Sequence, residues 1–500
     1  MTQRTLGYPS ATAAPETEGA GPSVALAGEP LTADICVIGA GSGGLTVAAM
    51  AAAFGRKVVL VEKHKMGGAG LNVGSIPSKA LLAAAKRAHA MRTADQFGIA
   101  SVEPQIDPRA VQSHVRGVVS AVAPNDSVER FTGLGIRVIL GAARFLDKRT
   151  VLAGDYRITA RRVVIATGSS PAIPAIPGLD ACPYLTNETI FEADRKIPHL
   201  LVIGAGAVGL ELAQAHLRLG SRVTVIESAR ALGKDDPEAT GILLKALRAE
   251  GMDIREDATI ERAETMAGFV RLQITSANGS ETVDGTHILV AAGRVPNLTD
   301  LNLQAAGIKH TREGITVNAG LRTSNRRVYA IGDVTGGPQS GHASSYQAEV
   351  VVRRALFWLP SKVDPALIPR VVFTDPELAH VGLTEIEARA EKHKINVLRW
   401  PFSENDRAQA ERATTGHIKV VTTAKGRILG ATIVGPGACE LIQIWSLAIA
   451  QRLPIKAMFG YVAPYPTYGE VGKRAALRQY TTMPSRANVR KLIDFLARLG

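Results

Sequence analysis

Two stretches of this chain repeat one order of apolar and polar positions. From Ala33 the residues read ADICVIGAGSGGLTVAAMAAAFGRKVVLVEK, a short β-rich run, a glycine-rich turn, an Ala-rich segment of helix length and a second β-rich run ending at Glu62. From His199 the order returns as HLLVIGAGAVGLELAQAHLRLGSRVTVIES, with Glu227 in the place of Glu62. Short apolar runs bounded by Gly and charge predict strands, and the segment between them a helix, so each stretch predicts a βαβ unit. The acid follows the first glycine by 23 residues in both copies, and a glycine, Gly55 or Gly220, stands 7 residues before it. Past about Leu367 the pattern changes to alternating apolar runs punctuated by Ala-Lys-Gly and Gly-Pro-Gly. That punctuation predicts hairpins of an antiparallel sheet, followed by helices.

The turns carry chemistry. Gly39, Gly41 and Gly44 form G-x-G-x-x-G in the first unit, and Gly204, Gly206 and Gly209 repeat it in the second. Such glycines allow a tight turn and a close approach of backbone to a pyrophosphate at a helix N-terminus, while the acid at the end of the second strand accepts from ribose hydroxyls. A chain with two such units is expected to hold two dinucleotides, ordinarily a flavin and a nicotinamide. Glu227 favours the free 2′-hydroxyl of NAD(H), and Arg230, three residues on, leaves NADP(H) open as the alternative. The predicted class is α/β: two Rossmann-like dinucleotide-binding domains, for FAD and NAD(P), and a C-terminal α+β domain.

Composition narrows the rest. At 500 residues and 46% hydrophobic the chain is too long for one core. Residues 1–30, rich in Ala, Pro, Gly, Thr and Glu without periodicity, are expected to form a flexible leader. Residues 31–170 with 292–360 are expected to bind FAD and form the central domain, 171–291 to bind NAD(P), and 366–480 to form the dimerisation domain. The formal charge of +13 is scattered rather than gathered in one basic block, which argues against a nucleic-acid partner. Cys36, Cys182 and Cys439 share no metal or redox spacing, and a cytoplasmic location is expected. In the tail, 481–500, Val489, Leu492, Ile493, Leu496 and Leu499 form one helical stripe beside Arg486, Arg490, Lys491 and Arg498. Packing on the protein's own dimer is the favoured reading, and peripheral contact with an anionic membrane is the alternative.

Several motifs together resemble the class I pyridine nucleotide-disulfide oxidoreductases, the family of dihydrolipoamide dehydrogenase, glutathione reductase and mercuric reductase. They are GGAGLNVGSIPSKALL (67–82), ATGS (166–169), HILVAAGRVPN (287–297), VYAIGDVTGG (328–337), FTDPELAHVGLTE (373–385) and YVAPYPTYGEVGKRAA (461–476), and the likeness spans about residues 31–480. The resemblance implies a homodimer. It implies FAD contacts at Ala143, Thr167, Gly168, Gly293, Asp333 and Ala343, and a lysine, Lys79, near the flavin N5 edge and paired with Glu211. In the family the first of these motifs holds two cysteines as C-x4-C, and here those positions are Gly70 and Ser75. The family's C-terminal His-Pro-Thr-x-x-Glu, supplied by the partner, becomes Tyr465, Pro466, Thr467 and Glu470. A tyrosine is a donor and a poor base at neutral pH, so a catalytic role and simple interface packing both stay open for Tyr465 and Glu470.

Neither Gly70 nor Ser75 can supply a thiolate, which argues against reduction of lipoamide, glutathione or mercuric ion. The reaction expected is that of an FAD-dependent NAD(P)H oxidoreductase that passes electrons from flavin directly to a small diffusible acceptor: a quinone, a dye or oxygen. Two alternatives stand beside it, a soluble transhydrogenase-like enzyme and a non-catalytic FAD- and NADH-binding redox sensor.

Overall fold

A computed structural model describes residues 29–481 and 487–499, so most of the expected leader and residues 482–486 of the tail lie outside the described residues. At its centre is β1 (Glu29–Ile38), whose residues 35–38 are buried on both faces. Such a strand needs a continuous apolar run, which ICVI supplies. It pairs in parallel with β2 (Val58–Glu62) on one side and with Tyr156–Ile165 on the other. Arg137–Leu140, Thr150–Ala153 and Ala143–Phe145 extend this sheet, and Val328–Ala330 joins the far end of Tyr156–Ile165 in parallel. Helix α1 (Ser42–Ala53) and the helix Gly341–Phe357 cover one face. They cross at Gly43, where a Cβ would stand 3.0 Å from Ile331 and 3.1 Å from Ser344.

The second unit repeats the plan. Asp253–Arg255, Arg222–Ile226, His199–Ile203, His287–Val290 and Tyr184–Leu185 form one sheet in that spatial order, beside an antiparallel meander over residues 259–285. The two crossings between the units lie side by side, since Ser169–Pro171 pairs antiparallel with Arg294–Pro296.

The motif stretch Gly67–Leu82 forms two helices, α2 (Gly68–Asn72) and the start of α3 (Ser75–Arg92). The break falls at Gly74, with φ −131° and ψ −113°, where a Cβ would come within 2.8 Å of the Ala69 carbonyl oxygen. Helix α3 runs parallel to the second unit's helix, Ala207–Arg218. Lys79 meets Glu211 near their starts, and Arg92 donates to the Arg218 carbonyl at 2.6 Å near their ends. Arg218 is itself buried and reaches both Glu250, at 2.6 Å, and Asp375 of the C-terminal domain, at 3.0 Å.

The C-terminal domain is a five-stranded antiparallel sheet ordered Arg370–Val372, Glu377–Gly382, Ile428–Gly435, His417–Thr423, Ile395–Pro401. Ala424–Gly426 is a hairpin turn, as predicted. Gly435–Gly437 is not: the chain leaves the sheet there and enters the helix Ala438–Ala450, with Gly437 in the left-handed region at φ 65°. A Gly-Pro-Gly sequence serves either turn, and the apolar run after it is helical rather than extended. The tail forms the helix Ala487–Leu496 with no buried residue. Leu492, Ile493, Phe495 and Leu496 are exposed, so the chain's own described residues do not cover the stripe. Cys36, Cys182 and Cys439 are each buried and unpaired. Among the described residues no helix is long and apolar enough to cross a membrane.

A buried cation pins the C-terminal sheet to the nucleotide domain. Lys419, 4% exposed, meets Asp236 at 2.6 Å and Glu238 at 3.0 Å; Asp236, 1% exposed, also caps the helix Pro237–Ala249. Arg399 joins Glu238 from the same sheet at 2.8 Å. Burial alone would raise the Glu238 carboxyl, but hydrogen bonds from Arg399 and Lys419 outweigh it and hold it down at about 2. Burial likewise lowers His417 beside it. Replacing Lys419 by Met leaves the Asp236 carboxylate buried and uncompensated. Urea unfolding of that variant is expected to show a loss of about 3–5 kcal/mol. In the parent chain the Glu238 contribution is complete above its ordinary value of 4.5 and is lost as pH falls toward 2, because the unfolded chain takes up the proton first. A pH series that leaves stability flat through that window would contradict the assignment.

Candidate dinucleotide and electron-transfer site

The two glycine turns are locked in the same way. Gly39 and Gly204 sit at φ 105° and 104°, and a Cβ on either would collide with the carbonyl of a crossing strand, Ala166 at 2.3 Å or Ala291 at 2.5 Å. Gly44 and Gly209 let the helix approach its own turn, since a Cβ would lie 1.9 Å from the Gly39 carbonyl oxygen in one and 2.1 Å from that of Gly204 in the other. Only glycine satisfies these positions. The middle glycines differ. A Cβ at Gly206 would meet nothing within 4 Å, and one at Gly41 nothing nearer than 3.9 Å. Both are the N-caps of their helices and neither supplies a side-chain acceptor. Open space in front of uncapped N–H groups is what a pyrophosphate requires, so the chain's residues fit a dinucleotide at each turn.

Each acid is tied to its turn. Glu62 Oε2 accepts from Ala40 N–H at 2.6 Å and Glu227 Oε2 from Ala205 N–H at 2.8 Å. The second oxygen of Glu227 takes weaker bonds from Ala229 N–H, at 3.2 Å, and Ser228 Oγ, at 3.4 Å. The segment after Arg137–Leu140 returns to this corner, where Gly141 N–H donates to the Glu62 carbonyl at 2.7 Å, and Ala143 opens the next strand in the core.

Where the two crossings meet the first unit, Asp333 Oδ2 accepts from Ser169 Oγ at 2.6 Å and lies 3.7 Å from Arg294 Nε. Its Oδ1 accepts from none of the described residues. Arg294 donates to Ser169 Oγ and carbonyl and, at 3.2 Å, to Asn187 Oδ1; Asn187 in turn donates to the Val73 carbonyl at the break between α2 and α3. Thr167 and Asn297 exchange bonds across the paired crossings. Gly168 and Gly293, at φ 67° and 108°, both face open space. Ala343 is fully buried in the first turn of Gly341–Phe357, its N–H taken by Ser340 Oγ.

Lys79 and Glu211 come together at 2.6 Å, the carboxylate side chain 6% exposed and the lysine 34%. Glu211 Oε1 accepts from Phe373 N–H at 2.9 Å, and the Phe373 ring lies 4.3 Å from the Lys79 ammonium. Behind them the Cys439 thiol is pushed well upward, by burial first and then by Glu377. Gly70 has no atom within 4 Å of an added Cβ, and Ser75 is the first residue of α3.

Tyr465 and Glu470 are not brought to Lys79 by their own chain. The Tyr465 hydroxyl is exposed and donates to Asp406 at 2.8 Å, which raises its pKa, and Glu470 accepts from Thr467 N–H at 3.4 Å. Their bonds all lie within the C-terminal domain. Sequence reasoning missed Arg294, Asn297, Phe373 and Asn187 as site residues. The first three stand inside quoted motifs, so position in a motif was the available signal; Asn187 has none.

Two dinucleotide cradles joined through the Lys79–Glu211 pair define an FAD- and pyridine nucleotide-dependent oxidoreductase. Residues 33–348 match the family described as pyridine nucleotide-disulphide oxidoreductase, and residues 368–476 match its dimerisation domain. The chain belongs to this family, whose C-terminal domain makes the homodimer. It is 35% identical over 448 residues to a mercuric reductase of Lysinibacillus sphaericus, covering 89% of this chain and 82% of that one. It is also 35% identical over 449 residues to a dihydrolipoyl dehydrogenase of Geobacillus stearothermophilus, covering 88% and 94%. Among solved structures it is similar to LpdA from Mycobacterium tuberculosis, with TM-score 0.82, 26% identity and coverage of 90% and 99%. It is similar too to the HOCl-induced flavoprotein disulfide reductase RclA from Escherichia coli, with TM-score 0.78, 27% identity and coverage of 89% and 99%.

The middle and last glycines of the first turn are expected to fail differently. Gly41→Ala has room for its methyl group only where the pyrophosphate would lie, so the purified chain should fold yet hold little flavin by absorbance. Gly44→Ala must displace backbone and should lower thermal stability as well. Full flavin occupancy in Gly41→Ala would argue against the cradle.

Proposed function

We propose that this protein is an FAD-dependent NAD(P)H oxidoreductase that passes two electrons from flavin directly to a diffusible acceptor, a quinone, a dye or oxygen, with no disulfide between them. The observation that carries the reading is the combination of Gly70 and Ser75 at the frame's two reactive positions with an intact Lys79–Glu211 pair. FAD and a nicotinamide, held at the two glycine turns, would supply the redox chemistry, a two-electron transfer matched by proton uptake at the acceptor. The chain's own residues do the rest. Glu211 holds and aims the Lys79 ammonium, Phe373 closes its far side, and the ammonium offers a positive charge where electron density accumulates. Asp333 offers its free Oδ1 to a ribityl hydroxyl, and Arg294 fixes Asp333 through Ser169.

The domain division given from sequence belongs to this reading, as do the flavin contacts at Thr167, Gly168, Gly293 and Ala343. So does a cytoplasmic location, supported by three unpaired buried thiols. Tyr465 and Glu470 would reach the flavin only from the partner, and the tail's uncovered stripe is assigned to packing between protomers.

Anaerobic mixing with NADH in a stopped-flow instrument, followed by a panel of acceptors, tests the reading. Flavin bleaching without the long-wavelength band that thiolate-to-flavin charge transfer produces, then reoxidation by quinone or dye, is the expected result. Absence of flavin reduction would favour the sensor, and reoxidation by a second nicotinamide the transhydrogenase. Nucleotide choice is set at Glu227, whose carboxylate accepts from a ribose hydroxyl and repels a 2′-phosphate. Glu227→Ala should raise KM for NADH by about tenfold, equivalent to one lost charged hydrogen bond, and should relatively favour NADPH. Unchanged selectivity would remove the assignment.

A further inference from the structure

At the N-terminal entries of the first sheet, the edge opposite the glycine turns, an apolar knob projects from the protein. Phe54 ends α1, and Phe357, Trp358 and Leu359 end its neighbour, Gly341–Phe357. The rings of Phe54 and Phe357 pack edge to face at 4.9 Å, yet all four side chains are about half or more exposed, Trp358 at 74%. Trp358 adopts the left-handed conformation, at φ 59°. That place after a helix usually belongs to glycine, and a bulky residue there is held against backbone strain. The fold thus spends stability to present an indole to solvent.

Positive charge surrounds the knob. The β1 register sets Ile35 opposite both Val58 and Arg162, and Val163 N–H donates to the Arg327 carbonyl, so Lys57, Arg162 and Arg327 enter neighbouring strands at one level. They span three strand spacings, about 14 Å. Alternation turns Arg162 and Arg327 to the face of Val164 and Tyr329, the face that the two helices cover. The Arg162 guanidinium lies 5.8 Å from the Trp358 ring, and Arg56 Nε donates to the Phe54 carbonyl at 3.2 Å. Elsewhere in this chain arginines are commonly paired. Among the described residues, none of Arg56, Lys57, Arg161, Arg162 and Arg327 has a carboxylate within salt-bridge distance. Asp34, the nearby acid, spends Oδ2 on the Lys57 N–H.

We propose that this edge docks on an anionic lipid bilayer, with Trp358 and Leu359 entering the headgroup layer and the unpaired cations meeting lipid phosphates. An aromatic and aliphatic tip inside a ring of uncompensated Arg and Lys is the chemistry of an interfacial anchor. Because the strands carry the glycine turns at their other ends, docking leaves the cofactor edge turned toward water. The inference stands independently of the acceptor that the flavin serves.

The test is flotation of the full-length holoenzyme with vesicles of phosphatidylcholine containing about one third phosphatidylglycerol, against pure phosphatidylcholine. Binding to the anionic vesicles at low salt, and its loss at high salt and on the neutral vesicles, is expected. The double substitution Trp358→Ser with Leu359→Ser should weaken binding by about tenfold or more, as should Arg56→Glu, with flavin content and NADH–dye turnover unchanged. Vesicles should also shift the emission of the parent chain to the blue, and Trp358→Phe should abolish that shift while keeping the binding. Deletion of residues 485–500 should leave binding intact. No binding by the parent chain, binding indifferent to the double substitution, or binding lost on deleting the tail alone would each overturn the proposal. Retention by single-stranded RNA in place of vesicles would overturn it in favour of a different partner.

Discussion

Three domains meet on one carboxylate. Glu211 rises from the helix of the second nucleotide unit, takes the ammonium of Lys79 from the first, and takes a backbone N–H of Phe373 from the C-terminal sheet. A carboxylate so little exposed cannot stand alone; its desolvation is offset only while both partners stay in place. The rest of the architecture keeps those partners there. Helix α3 lies parallel to Ala207–Arg218 and is tied again at its far end through Arg92, while Arg218 and Lys419 hold the C-terminal domain from two further sides. Relative motion of the two cofactor cradles is therefore opposed at both ends of one helix pair.

What the sequence disclosed follows from what backbone sterics demand. Gly39, Gly44, Gly204 and Gly209 were legible because no other residue fits where a Cβ would strike a carbonyl, and a constraint of that kind leaves the same letter every time. The acids Glu62 and Glu227 were legible by their distance from those glycines. The chain from Asp333 through Ser169, Arg294 and Asn187 to Val73 was not, because it joins five segments that are separated in sequence, and Asn187 stands in an unremarkable stretch. Phe373 escaped because it contributes a backbone N–H, which any residue has. The Gly-Pro-Gly turn was misjudged because its composition is compatible with two geometries, and the decision belongs to the helix after it.

The break between α2 and α3 is held from outside. Arg294 donates to Asn187, which donates to the Val73 carbonyl, so a segment that carries no thiol is nonetheless fixed in place. The backbone at that point is tied from outside the segment, and a Cβ added at Gly70 would meet nothing within 4 Å.

The three cysteines give the chain a further property. Cys36 lies in the middle of the central strand with its thiol pushed up to about 12 by burial, and Cys439 is raised similarly beside Glu377. All three thiols are buried, so thiol-directed reagents find no exposed sulfhydryl while the fold is closed. Its buried sulfurs become visible to such reagents only when the protein opens, so their labelling reports opening of the fold.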